Sequence, residues 1–160
     1  KSQKASPMRQ WGATQRQASR AMKQYYKQNI RILQKHRKGN IDYRFNAEFA
    51  SRIEDALDYM KENEPDLYNR FQFTDGFREG NRYGASDSMH KYGAAFDFNY
   101  SSYDCNEREK VYYIFAKYGI ACPLNTWNGQ DEGMHMEPAA TFYEGEYRAI
   151  VNENNEGSVA

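Results

Sequence analysis

The chain has 160 residues, 16% of them aromatic, and equal numbers of basic and acidic residues. This length suits one domain with an appendage, and aromatic side chains bury enough area to form a core despite few aliphatic residues. With no apolar run of about 18 residues and no signal-peptide pattern, the sequence predicts neither a transmembrane helix nor a secretion signal. Because it starts at Lys1 rather than Met, we expect a processed fragment or an excised domain of a longer protein.

The balanced total charge conceals an asymmetry along the chain. Residues 1 to 41 contain eleven Lys or Arg and no Asp or Glu, so all 22 acidic residues follow position 41. Such segregation indicates an arm with a role separate from the body. We therefore expect a basic helical arm at 1–44, a domain at 45–150 and a C-terminal tail at 151–160.

Within the arm, apolar residues recur at spacings of three and four: Ala18, Met22, Tyr25, Tyr26, Ile30 and Leu33. This spacing predicts a helix over 12–38, ended by Gly39 and Asn40. A basic helix of this kind can contact nucleic acid, an anionic cell wall or a membrane surface. We favour the alternative of a solvated helix that packs on the body or links to another domain.

The rest of the chain alternates helical and extended patterns. Helices are predicted at 46–63, with Asn46 as the cap, and at 107–118. Strands are predicted at 71–76, 94–100, 120–124 and 134–137. Together these elements predict an α+β fold. Cys105 and Cys122 are too few for a disulfide framework, so they either pair or remain as buried thiols.

The first candidate site segment surrounds His90, just before the strand predicted at 94–100. Alternation along that strand places Ala95, Asp97 and Asn99 on one face and Phe96, Phe98 and Tyr100 on the other. Asp97 therefore points away from an aromatic core and into a polar site. Gly93 permits the turn that folds His90 back over the strand, and Ser88 can hydrogen-bond either a substrate or the loop.

The second segment surrounds His135. On its strand, His135 and Glu137 share one face, so Glu137 can support an imidazole nitrogen. Glu132 falls on the preceding turn, where Gly133 gives the backbone conformational freedom. A carboxylate on that turn can act as a general base without ligating a metal. Two imidazoles, one carboxylate ligand and one carboxylate base are the minimum for a hydrolytic zinc centre with an open coordination position.

The pattern Ser-x-His-x-x-Gly-x-Ala-x-Asp at 88–97, followed by Glu-x-x-His at 132–135, resembles the zinc D-alanyl-D-alanine carboxypeptidase and L-alanyl-D-glutamate endopeptidase family. The similarity covers roughly 45 to 150 and implies a hedgehog-like fold, with a small antiparallel sheet, flanking helices and here an N-terminal helical arm. It also implies the zinc ligands His90, Asp97 and His135 and the catalytic base Glu132. The segment 73–78 is similar to the family's strand and turn that carry an arginine, so Arg78 is expected to bind the substrate carbonyl or carboxylate.

Because members of this family cleave peptidoglycan stem peptides, the resemblance implies a zinc metallopeptidase of the bacterial cell wall. We expect a phage lytic or virion-associated enzyme, located in the virion or the cell wall and periplasm. Its expected partner is a peptidoglycan peptide, with no membrane or nucleic-acid partner, and we expect a monomer or part of a larger virion polypeptide. The alternative is a catalytically inactive virion structural or nucleic-acid-contacting protein, which the basic arm favours and the intact Glu132 disfavours.

Overall fold

The computed structural model of the chain describes residues 27, 29–33, 43–77, 88–122 and 133–139. This part contains the strands β1 (Ile30–Ile32), β2 (Arg44–Asn46), β3 (Phe73–Asp75), β4 (Phe96–Phe98), β5 (Ile120–Ala121) and β6 (His135–Pro138). Its helices are α1 (Ala47–Asn63), α2 (Pro65–Arg70) and α3 (Cys105–Lys117), with short 3-10 turns at Met89–Tyr92 and Tyr100–Ser102. The predicted α+β class is confirmed.

Two small antiparallel sheets organise these elements. Four strands form one sheet in the order β3-β4-β6-β5, and β1 pairs with β2 in a separate two-stranded ribbon. In the larger sheet Asp97 of β4 lies directly opposite His135 of β6. Cross-strand partners project to the same face, so the sheet register alone brings these two side chains together.

Helix α1 begins where the sequence predicts, because Asn46 caps it. The Asn46 side-chain oxygen accepts hydrogen bonds from the backbone N–H groups of Glu48 and Phe49 at 3.0 and 3.1 Å. The apolar stripe of this helix is fully buried: Phe49, Ile53, Ala56, Leu57 and Met60. Pro65 follows this helix and starts the unpredicted helix α2, since proline suits a first helical position.

Helix α3 starts at Cys105, two residues before the predicted position. Asp104 and Glu107 form a reciprocal capping box, in which each side chain accepts from the other's backbone N–H. Both cysteine thiols are free, so the two do not pair. Cys122 is buried, as the alternative of buried thiols expects, whereas Cys105 is exposed. None of the helices in the described segments has the length and apolar character needed to cross a membrane.

An aromatic core fills the space between the larger sheet and helices α1 and α3. The fully buried Phe96 ring has six other aromatic rings within 6.5 Å of its centroid: Phe45, Phe49, Phe71, Phe73, Phe98 and Phe115. Phe98 is buried as well, whereas Asp97 between them is only partly buried. The predicted alternation is confirmed over Phe96–Phe98, where it leaves Asp97 on the face opposite the core. The strand is shorter than predicted, because Ala95 lies before it and is buried, and Tyr100 belongs to a 3-10 turn.

The helix predicted over 12–38 is wrong at Ile30–Ile32, which form strand β1. Asn29 has a left-handed φ of 59°, which breaks any helix there, and the β-branched isoleucines then pair with β2. Leu33 belongs to the core with 3% exposure. The three-and-four spacing was therefore misleading here, and part of the predicted arm belongs to the folded body. Residues 12–26, 28 and 34–38 of that prediction, like the tail at 151–160, lie outside the described residues.

Candidate metal centre

Three side chains from the two predicted segments converge on the sheet face opposite the aromatic core. His90 comes from the 3-10 turn, Asp97 from the middle of β4 and His135 from the start of β6. One ligand atom from each can be chosen so that all three atoms lie within 4.8 Å of one another. Within the described segments this is the one group of three metal-binding side chains, and each member was predicted as a ligand from the sequence.

Local backbone chemistry shapes the turn that carries His90. The Ser88 hydroxyl accepts from the His90 backbone N–H at 3.3 Å and caps the turn. Gly93 ends the turn with a φ of 67°, a conformation that glycine adopts without strain. The predicted roles of Gly93 in the turn and of Ser88 in the loop therefore hold, whereas contact between Ser88 and a substrate stays a prediction.

The His90 ring is oriented by a backbone carbonyl. Its Nδ1 lies 2.9 Å from the carbonyl oxygen of Gly76. Because a carbonyl only accepts hydrogen bonds, Nδ1 carries the proton in this contact. Nε2 is then the ring nitrogen that faces Asp97, whose Oδ1 is 3.2 Å away, and it can donate to that carboxylate or bind a metal ion in place of the proton. This arrangement leaves the correct nitrogen free to bind a metal.

His135 is oriented by a carboxylate two residues away on its own strand. Its Nε2 lies 3.0 Å from Glu137 Oε1, and its Nδ1 lies 3.3 Å from Asp97 Oδ1. The Nε2–H group donates to Glu137, so Nδ1 is the nitrogen available to a metal. The predicted supporting contact between Glu137 and an imidazole nitrogen is present in this geometry.

The spacing of these atoms fits a tetrahedral ion with nitrogen and oxygen ligands. Zinc lies about 2.0–2.2 Å from such ligands, which places neighbouring ligand atoms of a tetrahedron about 3.3–3.6 Å apart. The two distances from Asp97 Oδ1 to the histidine nitrogens are 3.2 and 3.3 Å. These two separations are close to those expected when one carboxylate oxygen and each imidazole nitrogen bind the same zinc ion.

The electrostatics of the site favour a cation. Burial acts to raise the pKa of Asp97, but hydrogen bonds from His135 and His90 outweigh it and hold that pKa well below its usual value. Burial acts to lower the pKa of His135, but hydrogen bonds to Asp97 and Glu137 raise it well above its usual value. Without a metal, a proton on His135 thus offsets part of the carboxylate charge, and a divalent ion offers stronger compensation.

Two predicted catalytic residues, Glu132 and Arg78, lie outside the described residues. Their neighbours Gly133 and Phe77 are described, and the Gly133 carbonyl accepts a hydrogen bond from the Tyr112 hydroxyl at 2.8 Å. Sequence reasoning missed this contact and the Gly76 carbonyl. Neither carries a sequence signal, because a backbone carbonyl is common to every residue and its partners come from distant segments.

The fold and the site together define an α+β protein with a candidate metal centre of two histidines and one aspartate. No protein family, curated protein or solved structure matches the chain.

Proposed function

We propose that this protein is a zinc-dependent peptidase that hydrolyses peptide bonds of bacterial peptidoglycan, in the stem peptide or its cross-links. The proposal places it in the zinc D-alanyl-D-alanine carboxypeptidase and L-alanyl-D-glutamate endopeptidase family, with a hedgehog-like fold and a lytic or virion-associated role. One observation carries it: His90, Asp97 and His135, from two distant motifs, bring their ligand atoms within 4.8 Å of one another.

The donor set favours zinc over other common ions. Magnesium and calcium prefer shells made of oxygen, whereas this group offers two imidazole nitrogens and one carboxylate. Structural zinc sites usually have four protein ligands, but catalytic sites have three and keep one position open. The Glu137 carboxylate is hydrogen-bonded to His135 Nε2 and thus supports a ligand. Three ligands with oriented imidazoles suit a catalytic centre.

A bound zinc ion supplies Lewis acidity, which acidifies water and polarises a peptide carbonyl. In the proposed reaction the Glu132 carboxylate takes a proton from the attacking water and delivers it to the leaving amine. Arg78 stabilises the negative charge that develops on the carbonyl oxygen, or holds a substrate carboxylate. Ser88 hydrogen-bonds the substrate near the His90 turn. Asp97 stays ionised throughout, since its pKa lies well below neutral pH.

The experiment is digestion of purified peptidoglycan, followed by mass analysis of the muropeptides. The zinc-loaded protein should release fragments that have each gained one water at a peptide bond, and their masses identify that bond. The matched control is Glu132→Gln, which should keep zinc and lose about 10²–10⁴-fold in rate, because an amide cannot accept the proton.

Each unfavourable outcome has a distinct meaning. A zinc-loaded protein that leaves all muropeptides intact would contradict the peptidase proposal and leave the inactive virion or nucleic-acid-contacting protein as the better description. If Glu132→Gln kept near-normal turnover at neutral pH, the peptidase proposal would stand but the base would have to be another residue.

A further inference from the structure

We infer that the β1–β2 ribbon (Ile30–Ile32 paired with Arg44–Asn46) positions the metal ligand His90, and that Ile30 is the side chain through which it acts. The inference rests on the metal centre of the proposed function and is independent of the peptidase reaction. It assigns a role in metal binding to a part of the chain that contributes no ligand. Three sets of contacts support it.

The ribbon first contacts Gly93, the residue that ends the His90 turn. The backbone N–H of Asn46 donates to the Gly93 carbonyl at 2.8 Å. A β-carbon placed on Gly93 would lie 2.4 Å from Ile30 Cδ1 and 2.8 Å from the Asn46 nitrogen. Both approaches are closer than a real β-carbon allows, so the Ile30 side chain and the β2 backbone pack directly on this glycine. The end of the His90 turn is therefore held from outside the turn.

The ribbon also contacts Gly76, whose carbonyl orients the His90 ring. The backbone N–H of Phe77 donates to the Arg44 carbonyl at 3.3 Å, which ties the segment after β3 to β2. A β-carbon on Gly76 would lie 3.0 Å from Tyr43 Cδ1 and 3.2 Å from Phe45 Cζ. The ribbon and its flanking Tyr43 therefore pack against the residue that accepts the hydrogen bond from His90 Nδ1.

The ribbon is itself anchored to the body. Arg31 donates two hydrogen bonds to the Glu54 carboxylate of α1, at 2.7 and 3.0 Å, and a third to the Ser51 hydroxyl. The Ala47 N–H at the start of α1 donates to the Asn29 carbonyl at 2.8 Å. A bidentate guanidinium–carboxylate contact fixes orientation as well as distance. The ribbon therefore holds the His90 turn in a fixed position relative to α1.

These contacts give His90 two points of support, its turn at Gly93 and its ring at Gly76, both braced by the same ribbon. A metal ligand must be held within a fraction of an ångström of its working position. Loss of a supporting residue in metal sites typically weakens affinity 10- to 100-fold. For loss of the Ile30 side chain we expect an affinity decrease at the lower end of this range, because the Asn46 hydrogen bond to Gly93 would remain.

The test compares two alanine substitutions in the same strand with Co²⁺ alone as the probe. Ile30→Ala removes the atoms packed on Gly93, whereas Ile32→Ala removes the same atoms from a side chain that is 41% exposed. Gly93→Ala is unsuitable, because strain at its positive φ and the contact with the Asn46 backbone would disturb the whole fold. Affinity is measured by chelator competition at a temperature where circular dichroism shows each variant folded.

Ile30→Ala should bind Co²⁺ about tenfold more weakly than wild type, and its visible spectrum should indicate a changed His90 ligand. Ile32→Ala should match wild type in both, and Ile30→Leu, which retains δ-carbons, should recover most of the affinity. A purely structural role would lower the melting temperature of Ile30→Ala and leave the Co²⁺ affinity of the folded protein unchanged. Equal affinity for folded Ile30→Ala and Ile32→Ala would therefore overturn the inference while leaving the proposed function intact. Failure of the wild-type protein to bind Co²⁺ would contradict both this inference and the proposed function.

Discussion

Phe96 and Asp97 are neighbours on β4 and lie in opposite environments. The Phe96 ring is fully buried among six other rings, whereas Asp97 projects from the other face and contacts both histidines. One strand thus supplies the core on one face and the candidate metal centre on the other. A change at one position should affect stability, and a change at the next should affect metal binding.

The largest effect is expected on the core face. Phe96→Ala removes a fully buried ring and should lower the free energy of unfolding by about 3–5 kcal/mol, since the surrounding rings cannot close the cavity completely. Urea denaturation of the metal-free protein measures this loss. A decrease below about 1 kcal/mol would show that the aromatic cluster does not support the sheet as described.

On the metal face the matching change is Asp97→Asn, which keeps the shape of the side chain and removes its charge. It should weaken zinc binding by more than the roughly 100-fold that loss of a supporting residue costs, because the ligand itself is lost. Calorimetric titration of the folded variant measures the affinity. If Asp97→Asn bound zinc with wild-type affinity, Asp97 would not be a metal ligand, and the two faces of β4 would not differ in function as described.

Glu137→Gln makes a finer test of the metal face. The amide can still accept from His135 Nε2 but lacks the charge that raises the basicity of the ring, so zinc affinity should fall about tenfold. The matched control is Glu62→Gln, the same chemical change at an exposed position of α1. If both variants bound zinc equally well, Glu137 would have no role beyond packing.

The smallest effect is a pH dependence of the metal-free protein. The raised pKa of His135 means that its contribution to stability is complete below about pH 6.5 and is lost as the pH rises through the folded-state pKa. The lowered pKa of Asp97 acts oppositely: its contribution is present above about pH 4 and is lost on acidification. The melting temperature should therefore fall between pH 6.5 and pH 9, and saturating zinc should reverse that fall. A melting temperature that rose over this range without metal would contradict the assigned ionisation states.

Strand periodicity explains why much of the site was predictable from sequence. Alternation along β4 predicts that Asp97 leaves the core, and alternation along β6 predicts that His135 and Glu137 share a face. The structure agrees on both points. Each prediction needs only residues within a few positions of one another, which is the range over which backbone geometry determines side-chain direction.

The remaining features depend on contacts between distant segments. The Gly76 carbonyl is 14 residues from His90, and the Arg31 contact with Glu54 spans 23 positions, so no local pattern indicates either. The same limit explains the helix wrongly predicted through Ile30–Ile32. The three-and-four spacing of Tyr26, Ile30 and Leu33 suited a helix, but the pairing of Ile30–Ile32 with β2 and the packing of Ile30 on Gly93 determined a strand.

The central claim is that His90, Asp97 and His135 bind one zinc ion through nitrogen and oxygen. X-ray absorption at the zinc edge of protein loaded with one equivalent tests it most directly. The proposed centre should give a shell of nitrogen and oxygen at about 2.0–2.1 Å, scattering from two imidazoles, and no sulfur. A shell with sulfur at about 2.3 Å would instead place the ion on Cys105 or Cys122, and scattering from fewer than two imidazoles would contradict the proposed centre.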